Sequence, residues 1–384
     1  MGMTCKERIL AALRGREVDY VPMFMDFWDP YIIERDTGRK REWRNERERL
    51  AVFRDNGWDT AVRLWLHVSP SAGVKTELRY EEDGQGTVLH QKWHTPAGTI
   101  TEKLRVTEDW PEAAGRTDNL EFGSDFRTPR YIETPFKSSS DLDALEYLFP
   151  ESNPADEKAL RAGYVEGKAL ADEFNVPLIV YVDAGLDWLI WLNRPEEAVY
   201  AIVDGPEDVK KTLRIINGAK QRRLRSLLDW GVDAVIRRGW YESTDFWSPD
   251  IFREFAMPAL REEIGMVHEA GGAHIYLMMT GIMPLLPDLA ALPFDCLCGA
   301  EPALGGQDLG AIKKALPGKS VWGGISGPEH LSKGSPERTA RAVREAFDLL
   351  GKTGSILGTG VCFRKHWPWE NFHAMQDAWK ALRK

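Results

Sequence analysis

Four cysteines (Cys5, Cys296, Cys298 and Cys362) in 384 residues are too few and too scattered to staple a fold. They predict no disulfide framework and point to a reducing compartment, with the cytoplasm as the expected location. No apolar run approaches membrane-spanning length, and residues 1–14 form a charged amphipathic segment without a signal-peptide core. Block clusters of Lys or Arg are missing too. With a net charge of −9, that argues against a binder of nucleic-acid phosphates. No glycine-rich phosphate fingerprint follows the first apolar run, so an open doubly wound dinucleotide-binding sheet lacks its main signature. Internal repeats and low-complexity tracts are absent.

Other features are plentiful. Hydrophobic residues make up 43% of the chain, enough to bury a large core. Eight short apolar or β-rich runs stand at 21–27, 60–66, 177–183, 234–240, 274–279, 294–299, 320–325 and 355–361, with helical patterns between most of them. Near-continuous apolar strands alternating with helices predict a parallel sheet covered on both faces. Eight of them predict a single-domain α/β chain, a (β/α)8 TIM barrel spanning residues 1–384. Thr4 to Glu7 reads as a capping box before Ile9, Leu10 and Leu13, and Gly15 stops that helix. Ser248-Pro249 and Ser335-Pro336 place proline at first helical positions, while Pro258 is expected to kink or divide its helix.

Residues 77–106 break the rhythm. Their alternation, with turns at 83–86 and 95–98, predicts an antiparallel meander of about three strands. The polar, proline-bearing stretch 108–156 reads as an excursion without a core of its own. Together they predict an insertion over 75–156 between the second and third barrel strands.

Barrels of this kind carry their active sites at the carboxyl ends of the strands. That rule selects Asp26, Trp28 and Asp29 on the first strand, Trp65 and His67 on the second, and Asp183 on the third. The fourth offers Arg238, Trp240, Tyr241 and Glu242, and the fifth Met278, Met279 and Thr280. Glu301 follows from the sixth, and Thr359, Cys362 and His366 from the eighth. Gly323 to Ser326 on the seventh let a backbone or ligand come close. Side chains alternate along a strand, so only one of Arg237 and Arg238 enters the barrel. Arg238, in register with Trp240, is the inward one, binding a substrate carboxylate or pairing with Asp183 or Glu242. Met278 and Met279 are either a soft wall for a planar ligand or packing. His67, His366 and Cys362 suit acid–base chemistry, and Glu301, His366 and Cys362 suit an unusual metal site. Each also has a structural reading. Cys296 and Cys298 share a face and read as core. Fifteen tryptophans predict both core and pocket positions, and Trp28 with Trp367-Pro368-Trp369 reads as an aromatic wall.

Motif order along nearly the whole chain resembles the uroporphyrinogen decarboxylase superfamily, in particular its corrinoid-dependent methyltransferase branch. The matching segments are Lys6-Glu7-Arg8-Ile9 with Asp19-Tyr20-Val21-Pro22, and Trp93-His94-Thr95-Pro96-Ala97-Gly98-Thr99. Further on come Ser248-Pro249-Asp250-Ile251-Phe252-Arg253-Glu254-Phe255, Gly323-Gly324-Ile325 and Glu370-Asn371. The resemblance implies a (β/α)8 barrel and methyl transfer to or from a cobalt corrinoid (methylcobalamin when loaded). Coenzyme M methyltransferases of the branch use zinc to turn a thiol into a thiolate, held by His-x-Cys on strand five and a cysteine after strand eight. Here Met278 and Thr280 occupy the first two positions and only Cys362 lies near the third. One thiolate cannot hold zinc alone. The decarboxylases proper carry arginines after the first strand, whereas Met25 to Pro30 has two acids and no base, which disfavours an octa-acid substrate.

The expected function is removal of a methyl group from a small aromatic methyl ether, delivered to cob(I)alamin on a separate corrinoid-binding protein, since the chain has no Asp-x-His-x-x-Gly motif. Tyr241, Glu242, His366 and Asp183 are the candidates to protonate the leaving oxygen. The alternatives are decarboxylation of a small aromatic or heterocyclic acid, and a binding protein without turnover. Zinc and a homodimer stay open.

Overall fold

The computed structural model describes residues 2–25, 43, 45–117, 120–360, 362–364 and 367–383. Seven parallel strands form one sheet: β1 (Val62–Trp65), β6 (Leu178–Asp183), β7 (Ala234–Arg238), β8 (Ala273–Leu277), β9 (Cys296–Ala300), β10 (Ser320–Gly324) and β11 (Ser355–Gly358). Their order in space is their order in sequence. A doubly wound sheet reverses direction part-way, so this order excludes it.

Alternation sorts the strand residues into two layers. Ala61, Ile179, Tyr181, Ile236, Ile275, Leu277, Cys296, Cys298, Trp322 and Ile356 share one buried cluster with Phe24. Their sequence neighbours Val180, Val182 and Val235, and Tyr276, Leu297, Val321 and Leu357, pack outward under the helices. The two edge strands β1 and β11 contribute to the same inward cluster, which they can do only if the sheet curls round on itself. Residues 22–24 stand in the gap as the remaining barrel strand. Met23 bridges Leu357 in parallel, Phe24 N donates to Leu357 O at 2.9 Å, and Leu357 N donates to Pro22 O at 2.9 Å. The first of the eight expected strands is thus reduced to a bridge, because Pro22 has no N–H for a longer ladder; residues 26 and 27 of that run lie outside the described residues. The fold is a (β/α)8 barrel.

The helix Cys5–Leu13 begins with the expected capping box, Thr4 with Glu7. Its Ile9, Ala12 and Leu13 close the amino-terminal end of the barrel by joining the inward cluster. Ser248 caps Pro249–Ile251, and a π turn over Phe252–Ala256 leads into Met257–Glu269. Pro258 cannot donate to the preceding turn, and the π turn takes up that missing bond. No helix among the described residues is long and apolar enough to cross a membrane.

The insertion holds the expected meander, β2 (Lys75–Glu82), β3 (Thr87–Thr95) and β4 (Gly98–Arg105), plus an unforeseen fourth strand β5 (Tyr131–Glu133). It corrects one expectation. The 108–156 stretch does build a core, with Trp110, Leu120 and Tyr131 packed on Leu89 and Leu104. Arg127, 0% exposed, is bonded to Glu102 and Gln91 inside it. Prolines and charges hid those apolar anchors. The other face, through Trp93, Ile100 and Phe122, packs on Trp188 and Trp191 just beyond β6, so the insertion rests on the end of the barrel where the strands' carboxyl ends lie.

The bridge between residues 22–24 and β11 depends on a bare backbone at Gly358. A Cβ there would sit 2.2 Å from Phe24 O, so Gly358→Ala must push the first strand outward. We expect a loss of about 1–3 kcal/mol by chemical denaturation, the usual scale of overpacking. Gly265→Ala, in the Met257–Glu269 helix with nothing within 4 Å of the new Cβ, should instead stabilise by about 0.5–1 kcal/mol.

Candidate active site

At the carboxyl ends of β6 and β7, Asp183 and Arg238 are register partners. Arg238 donates through Nε and Nη2 to the two carboxylate oxygens of Asp183. Its guanidinium lies 4.6 Å from the centre of the Trp65 ring, which in turn leans on Tyr181 at 4.7 Å. Burial works against the arginine's charge, but Asp183 outweighs it and holds its pKa above the ordinary value. Cys362 is half-buried and close enough to add to that effect.

Arg237 points the other way. Behind the strands it donates to Glu242 at 2.9 Å and to Glu263 at 3.2 Å. Glu242 also accepts from Tyr276 Oη at 2.6 Å and from Leu186 N at 2.9 Å. The structure therefore places Glu242 in the outer layer, fully buried and with both oxygens occupied, rather than at the mouth. Its neighbour Asp187, absent from the sequence reading, accepts from Trp240 N and Tyr241 N at 2.8 Å each. Burial and then the charge of Glu242 raise the Asp187 pKa well above the usual carboxylate range. The bonds to Asp187 fix the turn that carries Trp240 and Tyr241. Trp240 packs on the rim of the inward cluster. Tyr241 donates its hydroxyl to Asp125 of the insertion, and burial, reinforced by that carboxylate, pushes the phenol's pKa up.

Beside β1, His67 contacts Glu121 at 2.7 Å, with both side chains more than half exposed. Close by is a residue the sequence reading passed over. Lys220, 5% exposed, donates to Leu66 O at 3.2 Å and sits 5.3 Å from the Trp188 ring centre. It belongs to the helix Pro206–Trp230, on the stripe of Val209, Leu213, Ile216, Leu224 and Leu227 that faces the barrel. A cation in that apolar register was the signal available in the sequence. Burial pushes its pKa down to about 8, against the pull of Asp183 and Glu121.

On the opposite wall the packing reading describes Met278. Met278 is fully buried in the outer cluster and lines no mouth, while Met279 is half-buried against the inward cluster. Thr280 gives its hydroxyl to Asp245. A register shift between β9 and β10, with Gly299 at φ 95°, turns Glu301 at the end of β9. One Glu301 oxygen accepts from Ala303 N at 3.0 Å, and burial raises the carboxyl's pKa against the pull of Ala303, Ser326 and Gly327. Trp367 and Trp369 are buried with Phe363 and Phe372 in the outer cluster. Asp26, Trp28 and His366 lie outside the described residues.

The donor set does not suit a thiol-activating zinc. One ligand position is a thioether turned away from the mouth, and the other is a hydroxyl committed to Asp245. Among the described residues no group of three His, Cys, Asp or Glu side chains is placed to hold a metal.

The ion pair at the mouth makes a direct prediction. Asp183→Asn leaves Arg238 buried without its counter-charge and should destabilise by roughly 3 kcal/mol. Adding Arg238→Met should restore part of the loss, as read from paired urea titrations. A loss under about 1 kcal/mol would mean that solvent screens the pair.

A methyltransferase from Methanosarcina mazei shares the fold over 99% of both chains, with a TM-score of 0.60 and 16% identity. A B12-independent methionine synthase from Shewanella sp. W3-18-1 is a weaker likeness, 13% identical over 57% of this chain and 65% of that one, with a TM-score of 0.40. No curated protein sequence matches. The family described as uroporphyrinogen decarboxylase (URO-D) matches residues 110–382, well over half of the sequence. The chain belongs to the uroporphyrinogen decarboxylase family.

Proposed function

We propose that this chain is a methyltransferase-type enzyme of its family, taking the methyl group from a small aromatic methyl ether and passing it to a reduced corrinoid on a separate protein. The observation that carries this reading is the commitment of Arg238. Both carboxylate oxygens of Asp183 are bonded to it, so it is not free to clamp a substrate carboxylate as a decarboxylase requires. Met278 and Thr280 speak against a zinc-bound thiol as the acceptor. The end-to-end likeness to a methyltransferase fits the same reading.

A reduced corrinoid supplies a cobalt nucleophile strong enough to accept a methyl group from an ether. The chain's own residues bind and orient the donor and manage the proton. Trp65, braced by Arg238 and Tyr181, adds aromatic surface to the mouth, with Trp240 on the next turn. The paired charges of Asp183 and Arg238 make a polar floor of no net charge, suited to a neutral ether. His67 and Glu121 on the rim are exposed, so a partner protein can reach this end of the barrel.

The leaving oxygen needs a proton, because an alkoxide or phenolate is a poor leaving group unassisted. Among the described candidates, Asp183 and Glu242 have their oxygens occupied. Tyr241 holds its proton towards Asp125 with a raised pKa. None of the three is poised to give one.

The test is a panel of aryl methyl ethers incubated with the enzyme and a reduced corrinoid protein. At least one donor should methylate the corrinoid, and Arg238→Met should lower that rate by about 10- to 100-fold through loss of positioning. Failure across a broad panel, or carbon dioxide release from aromatic acids without corrinoid, contradicts the proposal.

A further inference from the structure

A proton donor for the leaving oxygen stands beside the ends of β1 and β6. Lys220 carries three N–H donors, and its one hydrogen bond among the described residues goes to Leu66 O. It forms no ion pair there: Asp183 and Glu121 act on it only at longer range, and Arg238 and Arg223 repel it. Asp183 is spent on Arg238, and Glu121 is in contact with His67. A nearly buried ammonium with unused donors, beside the ends of β1 and β6, is expensive to keep and demands an acceptor.

We propose that Lys220 is a catalytic residue, whose ammonium bonds to the oxygen of the aryl methyl ether and gives it a proton as the methyl group leaves. The inference rests on the methyl-transfer reading above. The methyl–oxygen bond breaks and its electron pair stays on oxygen. The proton moves from Nζ to that oxygen, the methyl group passes to the reduced corrinoid of the partner protein, and the neutral amine is reprotonated from water. A phenol titrates near 10, above the value of about 8 to which burial brings Lys220, so the transfer runs downhill.

Lysine also leaves a stability signature. Its folded pKa lies below the unfolded one, so the folded state is penalised wherever the lysine is charged. That penalty is fully present below about pH 8 and fades as the pH approaches the unfolded value. Lys220→Met should therefore be more stable than wild type at pH 7, with the advantage shrinking above pH 8. A purely structural lysine predicts the opposite, and a less stable Lys220→Met overturns the proposal.

Function is read in two further ways. Without any corrinoid, wild type should bind 4-nitrophenol as its coloured phenolate about 10-fold more tightly than Lys220→Met does; equal binding overturns the proposal. With a reduced corrinoid protein and an aryl methyl ether, Lys220→Met should lose about 100-fold in rate, the lower range for a general acid. The wild-type rate should fall above about pH 8, a limb the variant lacks. Lys220→Arg keeps the charge but cannot release a proton, so it should retain phenolate binding and lose the rate; a full rate in either variant overturns the proposal. If wild type transfers no methyl group while the stability and phenolate results hold, the methyl-ether reading falls and oxyanion recognition by Lys220 stands.

Discussion

Arg238 meets Asp183 across two neighbouring parallel strands, its Nε and Nη2 each on one carboxylate oxygen, at the mouth of the barrel. Much of the site follows from that contact. It cancels the charge of each partner where solvent is scarce, and it lays a flat cation against Trp65. It also removes from service an arginine that could have bound a substrate acid. The adjacent Arg237 is equally committed, but on the other side of the strand, to Glu242 and Glu263. One strand thus holds a scaffold ion cluster on its outer face and a site ion pair on its inner face, divided by the two-residue period of the β-strand.

Commitment of the paired charges gives meaning to the unpaired one. Buried ions persist where geometry satisfies them, and each pair at this end of the barrel is satisfied. Lys220 has no ion-pair partner among the described residues. One carbonyl and the Trp188 ring are its partners there, and neither supplies the counter-charge that the paired ions have. The insertion contributes as well. By packing Phe122 and its neighbours on Trp188 and Trp191, it covers the lysine's flank and carries Asp125 to Tyr241. A β-sheet core hidden among prolines and charges thereby becomes part of the catalytic end.

Much of the barrel could be read from the sequence because its strands are buried on both faces and so appear as short apolar runs. The inward choice of Arg238 followed from alternation alone. The same alternation, carried two residues further along β8, separates Met279 from Met278: Ile275, Leu277 and Met279 point in, and Met278 points out. Glu242 was harder, since it follows a turn, where the strand's period no longer predicts direction. Trp367 and Trp369 carried no sign of their burial, because Phe363 and Phe372 meet them only once the last helix folds back. Lys220 hid in a run of basic residues, Lys220-Gln221-Arg222-Arg223, that looks solvated until the helical register is laid over it.

The central claim is that this mouth releases a methyl group from oxygen and leaves carboxyl groups alone. A methoxy-labelled donor that also bears a ring carboxylate, with three deuterium atoms on the methyl group, tests it most directly in a single turnover with a reduced corrinoid protein. The account predicts that the trideuteromethyl group arrives intact on the corrinoid, with one phenol formed per methyl transferred and the ring carboxylate retained. Release of carbon dioxide with the methoxy group still in place would contradict it.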